Sequence, residues 1–353
     1  MGMHDESNYV SELFDIVSFW SVNFTSAFLL SAAHNVLIFV LDWRTSILHF
    51  LHFACTFAFL IFKHCGSRFV GKSSHGDDLE SGLPVVSATS FRSALSVIYP
   101  AIVSQVFVSL LSAEVHSQNR AGELYLLRIF DFLSTMVALK TKFTLSNEEM
   151  DKRQYEQIWK LLIPVALAGS LSWVEFGHIE FDRWSLLLAP VLAVVQGVHI
   201  VLVRNACVSF EQLSERGGLT DHSSLFEQFA LIYTGAVTMI LALPASISFS
   251  SSVISYDASW ESIDYVLIGM SVVFMASYKY SELWLQTHLK LHHYCALEHT
   301  KYFMGSCGQW FLQNMAHASV YAACGKLLFL AAILRYWSGF DVLTPAPRKQ
   351  SDA

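Results

Sequence analysis

Charge is what this sequence has least of. Only 14% of its 353 residues are Asp, Glu, Lys or Arg, against about 25% in a soluble domain. A soluble chain of this length needs that polarity to cover its surface, so a soluble enzyme is excluded. Disorder requires the reverse balance, low hydrophobicity with high net charge, and is excluded as well. There is no basic block and the net charge is −7, which argues against a nucleic-acid partner. The six cysteines contain no Cys-x-x-Cys pair and give no disulfide framework. The alternation of about ten residues that marks a barrel strand is missing too. Nothing at the N-terminus resembles a cleavable signal, since Asp5, Glu6, Glu12 and Asp15 make it acidic.

What the chain has in abundance is apolar length. Hydrophobic residues make up 54%, Phe occurs 27 times and the mean hydropathy is +0.44. A bilayer-spanning helix needs roughly 20 mostly apolar residues. Ten segments approach that length: 16–41, 46–62, 94–112, 121–139, 158–174, 184–203, 225–247, 263–286, 293–312 and 318–337. The expected fold is therefore all-α, a polytopic membrane protein of about ten transmembrane helices with the lipid bilayer as its first partner. The positive-inside rule tests the count. Fifteen of the 22 Lys and Arg residues fall in the even-numbered loops and the C-terminal tail, counting Lys160 and Arg335 at the ends of their spans with the loops they adjoin. Three (Arg44, Arg120, Arg183) fall in odd-numbered loops, and four (Arg128, Lys279, Lys301, Lys326) lie inside spans. This alternation puts both termini in the cytosol.

Five spans precede the loop at 175–183 and five follow it. An odd number of helices per half inverts the second half relative to the first, the arrangement of inverted-repeat transporters with a midplane substrate site. The expected division is an N-terminal repeat over 1–174 with a cytosolic loop at 63–93, and a luminal link at 175–183. A C-terminal repeat then covers 184–337, followed by a cytosolic tail at 338–353. Two matching helices carry charges within the membrane: Arg128 and Asp131 in the fourth, Glu298 and Lys301 in the ninth. Residues three apart share a helical face, and a charge in a membrane helix costs about 2.5–3.5 kcal/mol on insertion scales. One basic residue in the matching helix of each half suits an anionic substrate. The alternative is that each acid merely neutralises its neighbour.

Several short motifs, in order along the chain, carry a resemblance. Leu51-His52 lies in the second span and Tyr99-Pro100 opens the third. Leu161-Leu162-Ile163-Pro164 with Gly169, His178-Ile179-Glu180-Phe181 before Trp184, and Arg204-Asn205 follow. With Tyr233 in the seventh span and Lys301 in the ninth, the pattern resembles the triose-phosphate and nucleotide-sugar translocators of the drug/metabolite transporter superfamily. There are departures. Val36 follows Asn35 where many members have Asn-Lys, Phe210 replaces a lysine, Tyr302 rather than Arg follows Lys301, and Asp131-Phe132 replaces Ser-Pro. Loss of the Lys-Arg pair points away from triose phosphate and toward nucleotide sugars.

The resemblance implies an antiporter of nucleotide sugars or related phosphorylated metabolites in the Golgi or endoplasmic reticulum membrane. A cytosolic nucleotide sugar would exchange for a nucleoside monophosphate. Lys301 and Arg128 would hold phosphate oxygens. Tyr233 and Tyr302 would contact base or sugar, and His52, Arg204 and Asn205 fall at further matched positions. Glu298 and Asp131 would pair with the bases or couple transport to protons. Neither cofactor nor metal is expected, and a homodimer is open to the chain. Two alternatives compete. One is a non-transporting, scaffold-like relative, favoured by the self-neutralised charges. The other is a di-iron membrane hydroxylase or desaturase built on His288, His292 and His293, since neutral imidazole suits iron.

Overall fold

The computed structural model describes residues 13–30, 45–71, 88–118, 130–145, 152–171, 183–216, 222–252, 261–314 and 320–343. Nearly all of these residues are helical, and the described architecture is all-α. The first helix, α1, is described over Leu13–Leu30. Nine others follow: α2 (Thr45–Gly71), α3 (Ala88–Gln118), α4 (Asp131–Leu145), α5 (Lys152–Leu171), α6 (Arg183–Arg216), α7 (His222–Ser252), α8 (Ser262–His288), α9 (Leu291–Asn314) and α10 (Val320–Leu343).

Ten helices thus fall on the ten apolar segments, with boundaries that differ for a physical reason. Apolar length marks only the part of a helix that suits hydrocarbon, whereas the backbone ladder continues into polar sequence. So α6 runs to Arg216, well past the apolar segment at 184–203, and α2 runs to Gly71. Both ends of the stretch 63–93 read as a loop are helical, as is the start of the tail to Leu343. The segment 121–129, which belongs to the fourth span, lies outside the described residues.

Five described helical segments are long and apolar enough to cross a membrane: Leu13–Leu30, Ser46–His64, Arg92–Val115, Leu187–Ser214 and Leu225–Ser248. Pro100, Pro164, Pro190 and Pro244 sit inside helices. Interior prolines of this kind are tolerated in membrane helices, where neighbouring groups re-satisfy the freed backbone. Their outward surfaces are apolar as well: Met239, Leu243 and Ile247 form an exposed stripe on α7. A helix apolar on both its packing and its outer side belongs in lipid. These are the helices of a membrane-embedded protein.

The helices assemble into two compact units, divided at Ser117/Gln118, Val201/Leu202 and His288/Leu289. The first unit holds α1, α2, α3, the C-terminal part of α6, α7 and α8. In it α2 packs on α7 and α8, around Phe53, Ile98, Ile102, Val203, Phe229 and Val237. The second unit holds α4, α5, the first part of α6, α9 and α10. In it α10 packs on α5 and α9, and α4 on α9 and α5.

Candidate functional site

In the second unit, Lys301 lies on α9 and is only 6% exposed. Its Nζ donates to Glu298 Oε1 at 2.7 Å, three residues earlier on the same helix. Neighbouring side chains fix the rotation of α9 and hence the direction of this pair. His299 Nε2 and Thr135 Oγ1 of α4 are 3.1 Å apart, and the His299 ring meets Tyr336 of α10 edge-on at 5.2 Å. Trp337 Nε1 donates to Thr300 Oγ1 at 3.0 Å. Successive residues of α9 are thus held from α4 and α10, while Lys301 and Glu298 project together. Arg128 lies outside the described residues. Asp131 begins α4 and Tyr302 follows Lys301 on α9, but the side chains of both lie outside the description too.

The remaining expected residues belong to the first unit. His52 on α2 is fully buried, and Tyr233 on α7 nearly so. The Tyr233 hydroxyl donates to Gln105 Oε1 of α3 at 3.0 Å, and Gln105 Nε2 donates onward to Ser109 Oγ at 3.1 Å. Tyr233 therefore ties α7 to α3 through its hydroxyl. On α6, Arg204 is half-buried and Asn205 exposed.

Sequence reasoning passed over a second polar cluster on α8. Lys279 Nζ donates to Glu282 Oε2 at 2.8 Å, and the Tyr278 hydroxyl donates to Glu282 Oε1 at 3.1 Å. The ammonium also lies 5.6 Å from the centre of the Phe53 ring and 5.3 Å from that of Tyr278. Asn23 of α1 is buried beside it and donates to Ser281 Oγ at 3.1 Å and to the Tyr278 carbonyl at 3.2 Å. The signal was present, because Lys279 and Glu282 have the same spacing of three that drew attention to Glu298 and Lys301. A third pair closes the ends of α2, α7 and α8. Lys63 Nζ lies 2.7 Å from Glu227 Oε1 and also donates to the Tyr280 hydroxyl at 2.7 Å.

At the end of α8, His288 stacks on Trp284 with ring centres 4.3 Å apart and meets Phe226 edge-on at 5.3 Å. Burial between these rings pushes the imidazole below its ordinary pKa. In the second unit, the rings of His292 and His293 lie 4.2 Å apart. Among the described residues, no three or more His, Cys, Asp or Glu side chains converge as metal ligands.

No family model and no curated protein matches this chain. One solved crystal structure of a protein is similar over 95% of this chain and 99% of its own, with a TM-score of 0.54 and 15% sequence identity. At that identity the likeness shows the fold alone.

Proposed function

We propose that the chain is a membrane antiporter of nucleotide sugars or related phosphorylated metabolites, working by alternating access. Its ten helices are ten membrane spans in two inverted five-helix repeats, 1–174 and 184–337. Both termini face the cytosol, and the membrane is that of the Golgi or the endoplasmic reticulum. The reading rests on the resemblance and on one observation above the rest: a buried lysine, Lys301, on a helix held in rotation from two sides. Ionisable residues within membrane helices mark substrate or ion pathways by default. Two of the helices not counted among the five membrane-length segments support the larger number of spans. On α8 the residues Ile263, Val266, Met270 and Val273 are exposed, and on α10 Leu327, Leu330 and Leu334. Both stripes follow the helical period, and both suit lipid.

Lys301 is the anion ligand in this reading, with Arg128 of the fourth span and Tyr302 its partners; Tyr233, His52, Arg204 and Asn205, which belong to the first unit, are candidates on the resemblance alone. Glu298 is the resident counter-ion, which substrate phosphate displaces. A displaced carboxylate that takes up a proton would couple transport to pH, and Asp131 has the same capacity beside Arg128. The scaffold reading keeps one specific observation in its favour, since Lys301 is already neutralised at 2.7 Å.

Uptake by proteoliposomes separates the two. The full chain is reconstituted and preloaded with nucleoside monophosphates, then offered a panel of labelled nucleotide sugars and sugar phosphates. Saturable uptake of one of them, abolished by Lys301→Ala, is the expected result. Glu298→Gln, followed across pH in the same assay, reads the proton coupling. No uptake across the panel, with no gain in melting temperature from any compound, overturns transport in favour of a scaffold.

A further inference from the structure

Helix α10 carries a lysine that the roles above leave unused. Lys326 is only 6% exposed. Phe329, Ile333 and Tyr336 of the same helix are buried as well, whereas Leu327, Leu328, Leu330 and Leu334 are exposed. The helical period puts Lys326 on the buried face with the first group. That face meets α5 and α9: the Phe329 ring lies against Gly169 of α5 and packs edge-on against Phe303 of α9 at 5.6 Å, and Tyr336 meets His299 of α9 at 5.2 Å. A lysine on the lipid side can snorkel its ammonium toward the headgroups, but one on the packing face is held within the unit.

The same contacts fix the register. Trp337 bonds Thr300, Tyr336 meets His299 and Phe329 meets Phe303, so the helices run antiparallel and Lys301 lies at about the level of Ile333. Lys326 is two turns earlier, roughly 10 Å along the axis at 1.5 Å per residue. The pair α9 and α10 therefore carries two inward ammonium groups at two depths. An ammonium is a compact charge with three donors that suits phosphate oxygens.

We infer that Lys326 is a second anion-binding residue, a station for the phosphate group of the substrate two helical turns from Lys301. The inference rests on the anion-transport reading above and extends it to a residue outside the motifs that suggested it. A phosphate leaving Lys301 along α9 and α10 meets this second cation before it reaches the end of the hairpin, so its charge is not carried uncompensated through the apolar interior.

The test titrates the full chain in detergent with inorganic phosphate and with uridine monophosphate, following melting temperature. Wild type gains stability. Lys326→Met needs about tenfold more of either probe for the same gain, the value of one charge-assisted hydrogen bond. Lys326→Arg, which keeps the charge, stays close to wild type. A purely structural lysine would change the melting temperature without ligand but not the concentration dependence. If Lys326→Met follows the wild-type curve while Lys301→Ala is shifted, the second station is wrong and the transporter reading stands. If wild type gains nothing from either probe, the station is overturned; absence of vesicle uptake then overturns the transporter reading as well. Should Met at 326 not give folded protein, Lys326→Gln takes the same test, since it drops the charge but keeps hydrogen bonding.

Discussion

Lys301 and Glu298 form an ion pair within one helix, Nζ to Oε1 at 2.7 Å, with side chains only 7% and 18% exposed. Taking both charges out of water is costly, and removing one partner strands the other. The two single variants Lys301→Met and Glu298→Met are therefore each expected to destabilise the protein by about 3–5 kcal/mol. The double variant should recover most of that loss, because an apolar pair leaves nothing uncompensated. Unfolding in mixed detergent, measured as a double-mutant cycle, reads the coupling. Additive single effects would show that each charge is compensated elsewhere.

Helix α6 approaches α4 more closely at Gly197 than any side chain would allow. A Cβ there would sit on the Ser134 carbonyl oxygen and 3.0 Å from the Val137 Cβ. The obstacle is backbone, so it cannot be relieved by turning a side chain. Gly197→Ala is expected to cost about 1–3 kcal/mol or more, the range for overpacked sites. Gly235→Ala should cost less, since the nearest atoms a Cβ would meet belong to the Phe57 ring, a side chain that can shift. Gly269→Ala has nothing within 4 Å and should be neutral or stabilising by up to about 1 kcal/mol through helix propensity. Melting temperatures in that order are the check; equal effects at 197 and 269 would refute the close approach.

The apolar arithmetic was enough to find the helices, because burial in lipid imposes a length and a composition that a single sequence displays. It was less informative about their ends: α6 continues from Arg204 to Arg216 although eight of those thirteen residues are polar. Local charge spacing exposed the Glu298–Lys301 pair, since three residues on a helix fix their own geometry. The same rule reaches Lys279 and Glu282, which are also three residues apart. Non-local partners were a different matter. Nothing in the sequence links Asn23 to Ser281, or Tyr233 to Gln105, because such pairings depend on which helices meet. The grouping of α1–α3 with α7 and α8 is illegible for the same reason.

The ring stack at the end of α8 gives a sign for pH dependence. His288 has Nδ1 2.9 Å from the Trp284 carbonyl oxygen, and the Trp284 and Phe226 rings cover the imidazole. Burial favours the neutral form and outweighs the Trp284 carbonyl and the charge of Glu211, which favour the cation, so the pKa is lowered in the folded protein. A histidine whose folded pKa lies below its unfolded value of about 6.5 contributes stability that is complete above that value. The contribution declines as pH falls through the folded pKa, because the unfolded chain then binds more protons. Melting temperature should therefore drop on acidification from pH 7.5 to 5 by more in wild type than in His288→Phe, which keeps the stack and cannot titrate. Parallel curves for the two proteins would show that His288 stays uncoupled from folding.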